Sequence, residues 1–176
     1  MSRYAMYGGS FDPIHFGHLS MLERAVALGY TVIMVPAYRH AFGKQSAPFA
    51  QRLHMCKLVL QDCAFRQRVR LCTIEQRLAQ GCPSPVYTYD VLCALREKLH
   101  AAPRLLVGPD IAEEWHRWYR QADIDREFGR LGLPMTRAVR STDIRRLLHA
   151  HASPAALRDL LPESVVTYIM AEGLYR

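Results

Sequence analysis

Residues 8–18 read Gly-Gly-Ser-Phe-Asp-Pro-Ile-His-Phe-Gly-His, and they connect a short apolar, strand-like segment to a segment with helical spacing. Leu19, Leu22 and Val26 recur at intervals of three and four residues, which predicts an amphipathic helix. A β-branched run at residues 31–35 then predicts a second strand. The order of strand, helix and strand is that of a βαβ unit, which predicts a parallel sheet with a right-handed crossover.

The same alternation continues along the rest of the chain. Further strands are predicted at residues 69–73, 104–107 and 128–133, and helices at residues 49–63, at residues 88–99 and from residues 141, 154 and 162 onward. Asp110 is predicted to cap a helix that reaches Tyr119. The predicted fold class is α/β, a single Rossmann-like doubly wound parallel sheet of about five strands with a helical C-terminal segment. We expect one domain over residues 1–176, with ligands at the carboxyl ends of the strands.

The composition excludes several other classes of protein. Half of the 176 residues are hydrophobic and 22% are charged, which is too rich a mixture for a disordered chain. No apolar run approaches the roughly 18 residues that a membrane-spanning helix needs. The five cysteines form no Cys-x-x-Cys pair, so we predict no zinc ribbon and a reducing, cytoplasmic location. The net charge of +7 favours an anionic partner, although the basic residues do not alternate with aromatic ones as in nucleic-acid binders.

Residues 8–18 also carry the groups that phosphate recognition requires. They run from the end of a strand into the start of a helix, where unpaired N–H groups and the helix dipole attract anions. Gly8 and Gly9 allow a ligand to approach the backbone closely. His15 and His18 lie three positions apart and can face one phosphate, and Gly17 between them is expected to leave room for a nucleotide.

This string resembles the T/HxGH signature of the nucleotidyltransferase superfamily, most closely in its nicotinate-nucleotide adenylyltransferase branch. A second signature of that branch, Ser-Thr-x-Ile-Arg, is matched at residues 141–145, and residues 160–176 are also similar to it. The resemblance covers essentially the whole chain. Two separated signatures in the expected order make it specific.

The resemblance implies four catalytic residues: His15, His18, Lys44 and Arg145. Lys44 follows the second strand, although the sequence around it departs from the proline-rich version usual in the family. Arg145 adds a permanent charge with planar donor geometry. Ser141 is expected to cap a helix and to offer its hydroxyl to the β- and γ-phosphates of ATP.

The remaining implied residues divide between the two substrates. Residues implied in ATP binding are Gly8, Gly9, Ser10, Phe11, Gly17, Gly108, Asp110, Ser141 and Thr142. Residues implied in acceptor binding are Tyr87, Thr88 and Trp118. Pro109 departs from the polar residue usual between Gly108 and Asp110. Trp115 is equally aromatic, so which of the two tryptophans stacks on the pyridine ring stays open.

The activity implied is transfer of AMP from ATP to the 5′-phosphate of nicotinate mononucleotide, with release of pyrophosphate, a step of NAD biosynthesis. The acceptor phosphate is already mostly dianionic at pH 7, so in-line attack needs positioning rather than a nucleophilic side chain. Mg²⁺ is expected to arrive with ATP, without a dedicated metal site. The partners expected are therefore ATP and a phosphorylated pyridine nucleotide, with neither nucleic acid nor membrane, and a homo-oligomer is left open.

Three alternatives remain at this point. Nicotinamide mononucleotide differs from the acid by an amide in place of a carboxylate, and phosphopantetheine adenylyltransferases are similar in both signatures. A non-catalytic nucleotide sensor would belong to a different class of protein. The segment between Tyr119 and Ser141 is shorter than in typical members of the branch, and it helps to shape the acceptor pocket.

Overall fold

The computed structural model describes residues 3–39, 46–82 and 84–176, and it contains one five-stranded sheet. The strands are β1 (Arg3–Gly9), β2 (Tyr30–Pro36), β3 (Val69–Leu71), β4 (Arg104–Val107) and β5 (Arg130–Gly132). They lie in the order β3-β2-β1-β4-β5, and every pair of neighbours is parallel. This confirms the predicted Rossmann-like sheet of five strands.

Strand β1 includes Gly8 and Gly9, the first two residues of the stretch that was predicted to connect the strand to the helix. Gly8 lies opposite Val35 and Gly9 lies opposite Pro36 in the register with β2. The amide of Ala37 continues the ladder by donating to the carbonyl of Gly9 at 2.9 Å. The two glycines therefore belong to the central strand, and the connection to the first helix begins at Ser10.

Nine helices are found within the described residues, and α4 coincides with its prediction. They are α1 (Phe16–Ala27), α2 (Phe49–Asp62), α3 (Ile74–Leu78), α4 (Thr88–Leu99), α5 (Pro109–Glu114), α6 (Gln121–Glu127), α7 (Ser141–His149), α8 (Pro154–Leu157) and α9 (Glu163–Glu172). The prediction of a helix that is capped by Asp110 and reaches Tyr119 is wrong in both respects, because α5 ends at Glu114 and its cap is a different residue. Gly108 precedes α5 as the N-cap, and a 3₁₀ turn at Trp115–Arg117 follows it.

The sheet is covered on both faces, so its residues alternate between two hydrophobic cores. Val32 and Met34 belong to the core beneath α1, α2 and α7 to α9, whereas Ile33 and Val35 belong to the core beneath α4 and α6. This is the doubly wound arrangement predicted. Within the described part of the chain, no helix is both long and apolar enough to cross a membrane.

Candidate active site

The connection from β1 to α1 holds two histidines in a reciprocal backbone arrangement. His15 Nδ1 accepts from the His18 amide at 3.4 Å, and His18 Nδ1 accepts from the His15 amide at 3.2 Å. Their rings stack with centroids 3.7 Å apart. Because each Nδ1 is an acceptor, each neutral ring carries its proton on Nε2. Both histidines therefore have an Nε2–H donor to offer.

Burial keeps these two rings uncharged. His15 is 2% exposed, and this burial lowers its pKa to about 4. Burial also holds the pKa of His18 well below its ordinary value, and the charge of a protonated His15 would lower that pKa further. At neutral pH the pair therefore presents N–H dipoles rather than two cations.

The glycine between the histidines is explained by packing. A Cβ on Gly17 would lie 2.9 Å from ring atoms of His15 and 3.1 Å from the carbonyl oxygen of Arg137. The space that was expected to admit a nucleotide at Gly17 is thus filled by the chain itself. Phe11 is buried as well, and its ring packs edge-on against that of His18, with the two ring centroids 5.0 Å apart.

The second signature, on α7, binds directly to the first. Arg145 Nη1 donates to the carbonyl oxygen of Asp12 at 2.7 Å, and Arg145 Nη2 donates to Thr142 Oγ1 at 3.3 Å. Ser141 Oγ donates to the carbonyl oxygen of Pro13 at 3.1 Å. The prediction that Ser141 caps α7 is wrong, because Arg140 is the N-cap and the serine hydroxyl ties the helix to the loop.

These contacts enclose a small cavity of about 170 Å³, which we call the signature cavity. It is lined by Ser10, Phe11, Asp12, His18, Ser46, Ser141, Thr142 and Arg145. Six of these residues were predicted from the sequence, and they come from signatures more than a hundred positions apart. Lys44, predicted to join them, lies outside the described residues.

A buried arginine that was not predicted from the sequence binds the backbone next to the signature cavity. Arg52, on α2, is 3% exposed and donates to the carbonyl oxygens of Ser10 at 2.7 Å, Ala47 at 2.9 Å and Tyr38 at 3.5 Å. It thereby joins the segments that follow β1 and β2. The signal available was its spacing, since Arg52 is in helical register with the buried Met55.

A second cavity, of about 690 Å³, lies where α4 begins and where the chain leaves the 3₁₀ turn after α5. We call it the aromatic cavity, and it is lined by Val86, Tyr87, Thr88, Glu114, Arg117, Trp118 and Tyr119. All three predicted acceptor residues are among these. The two tryptophan rings pack against each other, with centroids 5.3 Å apart, but their surroundings differ. Trp118 lines the aromatic cavity, whereas Trp115 is buried and its Nε1–H donates to Asp125 Oδ2 at 2.9 Å.

Gly108 and Asp110 lie at the start of α5. Gly108 lines a third, open cavity of about 580 Å³ beside β5, and Asp110 lies in the first turn of α5. The Asp110 carboxylate is 3.6 Å from Arg140 Nη2, and both side chains are largely exposed. The lining described for the signature cavity includes neither Gly108 nor Asp110.

Glu75 gives the fold a pH dependence that can be measured. Its Oε1 accepts from the Tyr38 amide at 2.8 Å, and burial raises the pKa of this carboxyl to about 7. The folded chain therefore binds this proton more tightly than the unfolded chain, so the free energy of unfolding falls as pH rises from about 4.5 to 7. The effect is on the order of 3 kcal/mol, since the pKa rises by about 2.5 units and one pK unit corresponds to about 1.4 kcal/mol.

We expect Glu75→Gln to remove this contribution while the amide oxygen still accepts from Tyr38. Urea unfolding at pH 5 and pH 8 would show a smaller difference between the two pH values in this variant than in the wild type. Glu113→Gln, at an exposed position, is the matched control and should keep the wild-type difference. An unchanged difference in Glu75→Gln would contradict the assignment.

The comparisons with known proteins agree with this geometry. The family described as Cytidylyltransferase-like matches residues 6–147. The chain is 39% identical to the probable nicotinate-nucleotide adenylyltransferase of Anaeromyxobacter dehalogenans strain 2CP-C, over 98% of this chain and 96% of that protein. It is 29% identical to the protein of the same name from Thermomicrobium roseum, over 100% and 92% of the two chains.

Two solved structures share the fold. The putative nicotinate-nucleotide adenylyltransferase of Vibrio parahaemolyticus has a TM-score of 0.82 at 23% identity and covers 100% of this chain and 96% of its own. The Plasmodium falciparum nicotinic acid mononucleotide adenylyltransferase complexed with NaAD has a TM-score of 0.80 at 18% identity, with 99% and 98% covered. At these identities the structures establish the fold, and the sequence matches establish the family. The chain therefore belongs to the Cytidylyltransferase-like family and, within it, to the nicotinate-nucleotide adenylyltransferase branch of the nucleotidyltransferases.

Proposed function

We propose that this enzyme transfers AMP from ATP to the 5′-phosphate of nicotinate mononucleotide, releasing pyrophosphate in NAD biosynthesis. The observation that carries the proposal is the hydrogen bond from Arg145 to the carbonyl of Asp12, which brings the two signatures to one cavity. The described lining of that cavity combines a permanent cation, Arg145, with the N–H donor of His18, while His15 stacks behind His18 and is not itself in the lining. A cation and an N–H donor are groups that the transfer of a nucleotidyl group requires. The relatives named probable nicotinate-nucleotide adenylyltransferase support the choice of nicotinate mononucleotide as the acceptor.

The reaction proceeds by in-line displacement at the α-phosphorus of ATP. A bond forms from an oxygen of the acceptor phosphate to this phosphorus, and the bond to the oxygen that bridges to the β-phosphate breaks, with its electron pair leaving on pyrophosphate. The attacking phosphate has its second pKa near 6 and is already mostly a dianion at pH 7, so no general base is needed. What the protein supplies is alignment of the two phosphates and stabilisation of the developing charge.

The roles of the signature residues follow from their protonation. We assign to His15 and His18 the donation of Nε2–H hydrogen bonds to phosphoryl oxygens, because both rings are neutral. Arg145 supplies the positive charge opposite the leaving pyrophosphate, and Lys44 is proposed to join it from the segment after β2. Neutral donors in a water-poor site stabilise charge that appears in the transition state without a large cost in the ground state.

Mg²⁺ fits this site as a companion of ATP. Among the residues that the structure describes, one carboxylate lines the signature cavity, that of Asp12, and its Oδ1 already accepts from the Ala47 amide and the Tyr175 hydroxyl. Mg²⁺ is commonly held by substrate phosphates, water and one or two carboxylates rather than by a full protein cage. When bound, it would offset phosphate charge, while the residues described above orient the reacting groups.

The aromatic cavity is the proposed site for the pyridine ring of the acceptor. Trp118 lines this cavity, whereas Trp115 is buried against Asp125, so we assign stacking on the ring to Trp118. Stacking of an aromatic side chain on a base contributes about 1–3 kcal/mol. Trp118→Ala is therefore expected to raise the KM for nicotinate mononucleotide by roughly 10- to 100-fold, with the KM for ATP nearly unchanged.

Trp115→Phe is the control for that prediction. It removes the Nε1–H bond to Asp125, so it should lower the free energy of unfolding by about 1 kcal/mol and leave the KM of the acceptor unchanged. Steady-state kinetics and thermal unfolding of both variants would check the pair. A larger rise in acceptor KM for Trp115→Phe than for Trp118→Ala would reverse the assignment.

The activity itself is tested by pyrophosphate release from Mg-ATP with three acceptors offered separately. Turnover with nicotinate mononucleotide well above turnover with nicotinamide mononucleotide supports the proposal. A preference for the amide, or for phosphopantetheine, would keep the chemistry and change the acceptor. ATP binding without release from any acceptor would favour a nucleotide sensor.

The setting proposed for this reaction is the cytoplasm, with residues 1–176 acting as one nucleotidyltransferase domain. Two cores packed on the two faces of one sheet support a single folding unit. The five cysteines are free thiols, the state that a reducing compartment maintains.

A further inference from the structure

We propose that Tyr175 is a positioning residue of this active site, acting on Arg145 through Asp12. Its hydroxyl fixes the Asp12 carboxylate in the orientation that leaves the Arg145 guanidinium available to the phosphates of ATP. The inference rests on the proposed function, because it concerns the same cavity and the same nucleotide.

Tyr175 reaches the site because the chain reverses after α9. Gly173 ends the helix with a φ of 62°, and Tyr175 itself has a φ of 63°. Leu174 is buried, and its amide donates to the carbonyl of Ile169 at 3.1 Å, so the reversal is anchored to the helix. These turns carry the Tyr175 hydroxyl to 2.7 Å from Asp12 Oδ1.

The hydroxyl stays a donor at any pH at which the protein works. Burial raises the pKa of Tyr175 above its ordinary value, and the hydrogen bond to Asp12 raises it further. A deprotonated tyrosine beside a carboxylate would place two negative charges in contact, which is strongly unfavourable in a buried site. Tyr175 is therefore a permanent hydrogen-bond donor to Asp12.

The two oxygens of Asp12 are engaged differently. Oδ1 accepts from the Tyr175 hydroxyl and from the Ala47 amide, at 2.7 and 3.0 Å. Oδ2 lies 3.7 Å from Arg145 Nη1, which is an ion pair but too long for a hydrogen bond. The same Nη1 instead donates to the backbone oxygen of Asp12 at 2.7 Å. The carboxylate is thus held beside the guanidinium without a close side-chain pair between them.

This arrangement matters because a carboxylate competes with phosphate for the same donors. Arg145 has five N–H groups, and carboxylate and phosphate both suit its bidentate geometry. Without the Tyr175 hydroxyl, Oδ1 loses its shortest hydrogen bond, and the carboxylate of Asp12 is free to turn and pair closely with Arg145. Such a pair would withdraw the guanidinium from the signature cavity, which both residues line.

The test is Tyr175→Phe, which removes the hydroxyl and keeps the ring. We expect kcat/KM for ATP to fall about 10- to 100-fold, as for loss of a hydrogen bond to a charged group, with a matching loss of ATP affinity. The KM of the acceptor should stay unchanged, because the lining of the aromatic cavity includes none of these residues. Tyr168→Phe is the matched control, since that tyrosine lies on α9 and packs against His54.

A double-mutant cycle separates positioning from general loosening of the fold. If Tyr175 acts through Arg145, Tyr175→Phe should have no further effect on kcat/KM in an Arg145→Ala background. Additive losses, or a rise in the KM of both substrates, would overturn the proposal. If the wild type releases no pyrophosphate, the proposed function fails, but the role of Tyr175 can still be tested by measuring ATP affinity with calorimetry. Equal ATP affinity in the wild type and in Tyr175→Phe would overturn the inference.

Discussion

Replacing His18 with alanine is expected to lower kcat by about 100- to 1,000-fold while the Kd for ATP changes by much less. His18 is neutral, and its Nδ1 accepts from the His15 amide, so its contribution is one Nε2–H donor in a site shielded from water. Such a donor is most useful where charge appears during the reaction, and it contributes less to a ground state that already binds through Arg145. Pyrophosphate release gives kcat, and calorimetry gives the Kd for ATP.

Two variants sharpen this prediction. His18→Gln places a neutral amide N–H close to the position of Nε2 and should recover part of the lost rate. Such a recovery would show that catalysis needs an N–H donor at this position rather than a positive charge. His54→Ala, at an exposed histidine that packs on Tyr168 away from the signature cavity, should keep the wild-type rate. Equal losses in kcat and in ATP affinity for His18→Ala would mean that His18 binds the substrate and the transition state alike.

The fold was predictable where the sequence repeats its local signals. The β1–α1–β2 unit follows from apolar runs separated by a glycine-rich connection. The buried face of α4 follows from the helical spacing of Val91, Leu92 and Leu95. Two short helices were not predicted, because they carry almost no periodic signal. Helix α6 buries Ile124 alone among its seven residues, so its sequence shows no apolar stripe.

The candidate site was predictable as a set of residues, but its internal contacts were not. The signatures named His18 and Arg145, and the structure brings both to one cavity. The contacts that hold Asp12 beside Arg145 are tertiary and join residues 35 to 163 positions apart, as in the bonds from Ala47 and Tyr175 to Asp12. No local pattern encodes such distances. The choice between Trp115 and Trp118 likewise depended on where the 3₁₀ turn points each ring.

The largest effect on stability is expected for Arg52→Leu, which should lower the free energy of unfolding by about 3–5 kcal/mol and the Tm by roughly 10 °C. Leucine fits the helix and the core, but it leaves the carbonyl oxygens of Ser10, Ala47 and Tyr38 without their donor. It also removes a positive charge that lies near the buried carboxylate of Asp12. Chemical unfolding of the variant measures the loss.

The matched control is Arg66→Leu, an exposed arginine whose contact with the Gln61 carbonyl is 3.5 Å long, and the free energy of unfolding should hardly change. Arg52→Lys should fall between the two, since an ammonium keeps the charge but cannot reach three carbonyls with a planar fork. A loss below about 1 kcal/mol for Arg52→Leu would show that other donors satisfy those carbonyls.

The expected loss of stability also bears on function. One buried guanidinium holds together the segments that leave β1 and β2, and the signature cavity lies where those segments meet α7.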